Sequence, residues 1–178
     1  MENIKMIAPC LFGVESIAAD EFRRMGFEKV EAENGRVLLE GDFNMLARAN
    51  INSRFAERIL INMGQFYATT FTELFDKVKS LPWERFIGKD DAFPVAAGSS
   101  INSSLFSIPD CQSIIKKAIV DRLSSKYGIK WFAETGAEFK IRFTIIKDNV
   151  TVTIDTSGEG LHKRGYRRNS NDAPLKET

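Results

Sequence analysis

Alternation and helical stripes divide residues 1–66 into a run of short elements. Ile4, Met6, Ile7 and Ala8 predict a strand over residues 4–9 that Pro9 closes. From Val14 to Met25 the apolar positions fall at helical spacing. Val14, Ile17, Ala18, Phe22 and Met25 are expected inward, with Glu15, Asp20, Glu21, Arg23 and Arg24 largely opposite. Gly26 stands where such a helix stops. Residues 27–32 predict a second strand, Asn34-Gly35 marks a hairpin, and residues 36–40 predict the returning strand. Asp42 can cap a helix over residues 43–50, with Phe43, Leu46, Ala47 and Asn50 or Ile51 inward. Residues 57–66 predict a fourth strand.

That order is βαββαβ, the ferredoxin-like arrangement, which packs two helices on one face of an antiparallel sheet. The fold class is α+β. The arrangement carries many functions and names none.

A second pattern begins near residue 69. Thr70 and Glu73 form a capping-box signature, and Leu74, Phe75, Val78 and Leu81 form a helical stripe that Pro82 ends. Trp83 and Phe86 extend that apolar surface and read as core rather than as a base-stacking platform. Residues 93–98 and 103–107 predict strands interrupted by the polar run 99–102. A long helix follows from Pro109-Asp110, with Asp110 as cap. Cys111, Ile114, Ile115, Ala118, Ile119 and Leu123 make its buried stripe; Lys116, Lys117, Arg122 and Lys126 lie away from it, and Gly128 ends it. Residues 138–146 alternate, with Phe139, Ile141, Phe143 and Ile145 inward and Lys140, Arg142 and Thr144 outward. Asp148-Asn149 turns the chain into residues 150–155. These predict a half-buried strand with Val150, Val152 and Ile154 on one side and Thr151, Thr153 and Asp155 on the other.

Composition narrows the class. Fourteen phenylalanines in 178 residues predict a core rich in aromatic rings. No apolar run approaches the roughly 18–20 residues of a membrane span, and residues 1–10 lack the apolar region of a signal peptide. A soluble cytoplasmic protein is expected. Cys10 and Cys111 stand far apart and predict buried free thiols, and a single histidine, His162, leaves little for a zinc site. G-x-S-x-G and Walker A patterns are absent, so hydrolase and P-loop chemistry find no support. Net charge is +1 but unevenly spread. Residues 1–60 hold 8 Lys/Arg against 10 Asp/Glu, and residues 110–170 hold 12 against 7. A basic carboxyl-terminal part fits a localised anion-binding face.

The densest basic stretch follows the last predicted strand. Gly158 and Gly160 break the strand, and Lys163, Arg164, Tyr166, Arg167 and Arg168 follow. Guanidinium groups suit phosphate oxygens in a forked geometry, and a tyrosine ring suits an unpaired base. The competing reading is a solvated linker. Gly158 and Gly160 do not complete a dinucleotide fingerprint, because Gly165 comes too late and charged residues follow. Lys116, Lys117, Lys126 and Lys130 are second-rank candidates for RNA contact. Lys140 and Arg142 rank third, since outward strand cations also serve solubility alone.

Residues 155–167, D-T-S-G-E-G-L-H-K-R-G-Y-R, resemble the segment that closes the THUMP domain in bacterial THUMP-containing, S-adenosylmethionine-dependent rRNA guanine-N2 methyltransferases. Residues 173–178, A-P-L-K-E-T, are similar to the opening of the methyltransferase domain that follows in that family, and residues 8–21 are similar to its amino-terminal segment. The resemblance implies a ferredoxin-like domain over residues 1–68, a THUMP domain over 69–168, and a linker with the start of a methyltransferase domain over 169–178. It implies that catalysis and S-adenosylmethionine binding belong to that following domain, so this chain alone is expected to have no activity and no cofactor. The expected partner is structured RNA, foremost large-subunit (23S) rRNA, and not DNA or a membrane. Two other readings stay open: a THUMP module serving tRNA modification, and a ferredoxin-like ligand-sensing or dimerisation protein whose basic run is incidental.

Overall fold

The computed structural model describes residues 3–163. The elements are β1 (Ile4–Pro9), α1 (Glu15–Arg24), β2 (Lys29–Glu33), β3 (Arg36–Gly41), α2 (Phe43–Asn52), β4 (Leu60–Tyr67), α3 (Phe71–Ser80), a 3-10 turn (Trp83–Arg85), β5 (Val95–Ile101), α4 (Ile108–Tyr127), β6 (Ile141–Ile146), β7 (Asn149–Asp155) and a second 3-10 turn (Leu161–Lys163). The fold is α+β. Among the described residues one compact unit holds 3–61 and 155–163, and the other holds Asn62–Ile154. No helix among them is long and apolar enough to cross a membrane.

In the first unit the strand order is β2-β3-β1-β4, each strand antiparallel to its neighbour. That is the ferredoxin-like order. Gly35 takes φ +73° in the turn that pairs Glu33 with Arg36. The Glu15 carboxylate accepts from the N–H groups of Gly35 and Gly13, both at 2.9 Å, and so ties the start of α1 to this hairpin. These donors, that of Gly35 foremost, lower the pKa of Glu15. Asp42 caps α2 as expected, its Oδ1 accepting from Met45 N at 2.8 Å.

The core of this unit gathers Met6, Ala8, Ala18, Ala19, Phe22, Phe27, Val37, Leu39, Ala49 and Ile59. The rings of Phe22 and Phe27 meet edge to face at 5.7 Å. Two helix faces differ from expectation. Ile17 is half exposed while Ala19 is buried, and in α2 Phe43, Ala47 and Ile51 are exposed while Leu46 and Ala49 are buried. Small alanines let each helix lie close to its neighbours, so its buried stripe turns toward them and away from the larger side chains.

In the second unit the strand order is β4-β7-β6-β5, with β7 antiparallel and β5 parallel to β6. The Thr70–Glu73 capping box opens α3. Helix α4 packs against α3 and β5. Trp83 is fully buried and donates from Nε1 to the Val78 carbonyl at 2.8 Å, in keeping with its reading as core. Cys10 and Cys111 are buried free thiols, and burial raises the pKa of both.

Four expectations for this unit are corrected. Strand β5 runs through the polar stretch over 99–101 rather than stopping before it, because Ser99 and Ser100 pair in register with Thr144 and Ile145 of β6. Residues 103–107 form no strand; they are a loop whose Leu105 carbonyl accepts from Ser100 Oγ at 2.7 Å. Helix α4 starts at Ile108, ahead of Asp110, with Pro109 in its first turn, where a missing N–H costs nothing. Strand β7 is buried on both faces from Val150 to Asp155, so Thr151, Thr153 and Asp155 are not on a solvent side.

Two outcomes follow from this packing. A Cβ at Gly98 would lie 2.1 Å from Phe143 Cζ, its register partner's ring. Gly98→Ala is therefore expected to lose about 1–3 kcal/mol of stability by overpacking, read as a lower midpoint in urea unfolding. The Glu84 carboxylate takes Arg122 Nε at 3.0 Å and Nη2 at 2.6 Å, with Lys126 at 3.5 Å. These contacts, the Arg122 hydrogen bonds foremost, lower its pKa from 4.5 to about 2. The folded-state value is depressed, so the stabilisation is present above 4.5 and lost as pH falls through about 2. Glu84→Gln should be less stable than the parent near neutrality, and the gap should close across that acidic window in denaturant titrations.

Candidate nucleic-acid interface

The chain leaves β7 through a buried carboxylate. Asp155 keeps 1% of its side chain exposed and meets Arg58 Nη1 at 2.6 Å. The same nitrogen donates to the Gly158 carbonyl at 2.7 Å. Asp155 Oδ1 accepts from Ser157 N at 3.0 Å, an Asx turn that starts the loop. Ser157 Oγ donates to Asn50 Oδ1 at 2.7 Å and accepts from Ile59 N at 2.8 Å. Thr156 Oγ1 donates to the Ile59 carbonyl at 2.7 Å and accepts from Asn50 Nδ2 at 3.1 Å. Leu161 is buried, and its N–H reaches the Glu57 carbonyl at 2.9 Å. D-T-S-G-E-G-L is thus a clamp onto residues 50–59.

The two glycines serve the clamp. Gly158 takes φ +64°, and a Cβ on Gly160 would lie 2.6 Å from the His162 ring. His162 Nδ1 is buried without a partner. Only the three-residue turn Leu161–Lys163 follows these glycines among the described residues, and the Gly158 carbonyl is taken by Arg58. The residues here do not fit a nucleotide or S-adenosylmethionine loop, which needs free N–H groups at the start of a helix.

Lys163 is exposed, its Nζ 3.5 Å from Glu159. Arg164, Tyr166, Arg167 and Arg168 lie outside the described residues. The second-rank lysines belong to the other compact unit from Lys163. Lys116 is engaged within that unit: it meets the Glu134 carboxylate and the Phe93 carbonyl, and it sits 3.6 Å from the Phe93 ring centroid. Lys126 pairs with Glu84. Lys117 is exposed, 5.9 Å from the Phe75 centroid, and Lys130 is exposed. Lys140 pairs with Glu138 at 3.2 Å, and Arg142 is half-buried. Of these cations, Lys117 and Lys130 present the most accessible charge, since Lys163, like Lys126, has a carboxylate at 3.5 Å.

Sequence reasoning missed the clamp partners Asn50 and Arg58, which lie about a hundred positions from the loop they hold. It also missed Trp131, which is 84% exposed in the segment after α4. The only trace of Trp131 in the sequence is an aromatic residue just past a helix-ending glycine, where apolar periodicity has stopped. A groove of about 940 Å³ in the first unit is lined by Ile17, Glu21, Met25, Ile51 and Phe55. Its Glu21 carboxylate is occupied by Ser53 Oγ at 2.9 Å and Arg54 N at 3.0 Å, so it holds the loop after α2.

Comparison with known proteins agrees with this two-part organisation. The RlmL ferredoxin-like domain model matches residues 5–60, and the THUMP domain model matches residues 68–155. YpsC of Bacillus subtilis strain 168, provisionally named an RNA methyltransferase, is 45% identical over the whole of this chain, which covers 46% of that protein. The ribosomal RNA large subunit methyltransferase K/L of Magnetococcus marinus is 34% identical over 93% of this chain and 23% of its own length. A Listeria monocytogenes protein, provisionally described as an N6-adenine-specific DNA methylase, superposes with a TM-score of 0.92 at 50% identity, over 99% of this chain and 46% of its own. SMU.472, a provisionally assigned methyltransferase solved with SAH, gives a TM-score of 0.90 at 39% identity, over 95% of this chain and 45% of its own. This chain spans less than half the length of each. With both domain models matched in this order, the chain carries an RlmL-type ferredoxin-like domain followed by a THUMP domain.

Proposed function

We propose that this chain is the RNA-binding part of an S-adenosylmethionine-dependent RNA methyltransferase whose catalytic domain follows it, with large-subunit rRNA as the preferred target. The observation that carries the reading is the 45% identity along the entire chain to a longer protein named for RNA methylation. The similarity to K/L methyltransferases supports the rRNA branch, and SAH bound to the similar SMU.472 supports S-adenosylmethionine as the cofactor of the complete protein. In this reading the ferredoxin-like domain covers residues 1–68 and the THUMP domain 69–168. Lys163, Arg164, Arg167 and Arg168 take phosphates, and Tyr166 stacks on a base. Lys117 and Lys130 add accessible charge, while Lys116 and Lys126 contribute through their field, since each already has a carboxylate partner. The clamp gives the basic run a fixed point of departure at Lys163. Phosphate contacts supply affinity, and RNA shape and unpaired bases supply selection.

The description of the Listeria protein favours DNA as a second reading, because a basic run suits either backbone. The test measures binding to a large-subunit rRNA stem-loop, a tRNA and a DNA duplex across salt. The logarithm of affinity for the rRNA stem-loop should fall with the logarithm of salt concentration by about 0.7–0.9 per neutralised phosphate. Arg164→Ala/Arg167→Ala/Arg168→Ala should bind more weakly with a shallower slope. Preference for tRNA would move the target to tRNA modification, preference for the duplex would move it to DNA, and absence of binding to all three would sink the proposal.

A further inference from the structure

Trp131 is the most exposed of the large apolar side chains among the described residues, at 84%. An indole offers a large apolar face, so leaving it in water forgoes a sizeable burial gain. Single exposed apolar residues are ordinary; what sets Trp131 apart is that the backbone on both sides of it is held. Gly128 ends α4 at φ +69° with its N–H on the Ser124 carbonyl at 2.9 Å. Immediately after Trp131, the Phe132 ring meets Phe93 edge to face at 5.5 Å and 88°. Glu134 then pairs with Lys116, and Gly136 N donates to the Asp90 carbonyl at 2.7 Å. Ala137 N donates to Asp91 Oδ1 at 3.0 Å, and a Cβ on Gly136 would lie 2.6 Å from that same oxygen. Only residues 129–131 span the gap between two fixed points.

Its surroundings favour a particular occupant. Lys130 is its neighbour in sequence and is exposed. Lys116 sits over the Phe93 ring that carries Phe132, and its charge is balanced by Glu134. Asp91 is taken up by the N–H groups of Gly88 and Ala137. An exposed aromatic ring with an exposed ammonium on the preceding residue suits a single-stranded nucleotide: the ring stacks on the base and the cation takes a phosphate. An apolar protein partner would be better served by several neighbouring apolar side chains, and residues 129–137 offer only Trp131 as an exposed large one.

We infer that Trp131, with Lys130, forms a stacking site for one unpaired nucleotide of the RNA, separate from the basic run that follows residue 162. The inference rests on the RNA-binding reading above and adds to it a second contact, in the other compact unit. It predicts that the chain distinguishes an RNA stem with an unpaired tail from the same stem without one.

The chain's two tryptophans make the test direct, because Trp83 is fully buried and serves as an internal reference. Affinity is read from the anisotropy of a labelled RNA stem with or without an unpaired tail, and stacking from tryptophan emission in the same titration. The tailed stem should quench the emission of the parent chain and leave that of Trp131→Phe, which retains only Trp83, unchanged. Trp131→Ala, checked by thermal melting to fold as the parent does, should bind the tailed stem about 10-fold more weakly and the blunt stem as the parent does. Binding of the tailed stem without a change in Trp131 emission, or with full affinity in Trp131→Ala, overturns this site while leaving the RNA reading standing. Failure of the parent to bind either stem overturns both.

Discussion

A carboxylate taken out of water must find a cation or a set of hydrogen-bond donors, and the end of β7 is built around one that found both. Asp155 is held by Arg58 and by the N–H of Ser157. Removing one partner of such a buried pair typically costs about 3–5 kcal/mol, because the other is left charged and uncompensated. The hydroxyls of Thr156 and Ser157 extend the lock to Asn50 and to both backbone polar groups of Ile59. A stretch that could have been a loose connection is therefore part of a folded unit.

Charge on α4 has a different use. Arg122 and Lys126 converge on Glu84, Lys79 reaches Asp121, and Lys116 bridges Glu134 and Phe93. These contacts join α4 to α3, to the turn after it and to the loop before β6. They leave Lys117 and Lys130 with their charge toward solvent. A basic helix is thus largely a structural element, and its net charge overstates what it can offer a polyanion.

The elements were legible where one local rule dominated. The Asp42 and Thr70 caps, the turn at Gly35 and the stop at Gly128 each follow from a few adjacent residues, and each appears in the structure. Strand alternation placed Ile141, Phe143 and Ile145 correctly in the core. What failed depended on neighbours distant in sequence. Ser99 and Ser100 enter a strand because β6 offers ladder partners, and the burial of Thr153 and Asp155 is set by packing that alternation does not record. The rotation of α1 and α2 away from Ile17 and Phe43 follows from alanines whose small size matters only once a partner surface exists. Among site residues, a basic run is visible to anyone counting charges. The pairing of Arg58 with Asp155 across 97 positions is not, and neither is the isolation of Trp131 between two anchors.

The clamp also sets an order of events during synthesis. Arg58 leaves the ribosome 97 residues before Asp155 and 100 before Gly158. At elongation rates near 5–20 residues per second that is a delay of about 5–20 s. Throughout it, Ile59 and the Glu57 carbonyl have no loop to bond with, and the domain whose strands were made first stays unfinished while all of Asn62–Ile154 emerges. A nascent chain arrested before residue 155 therefore carries an incomplete first unit, however much of the second it has already folded.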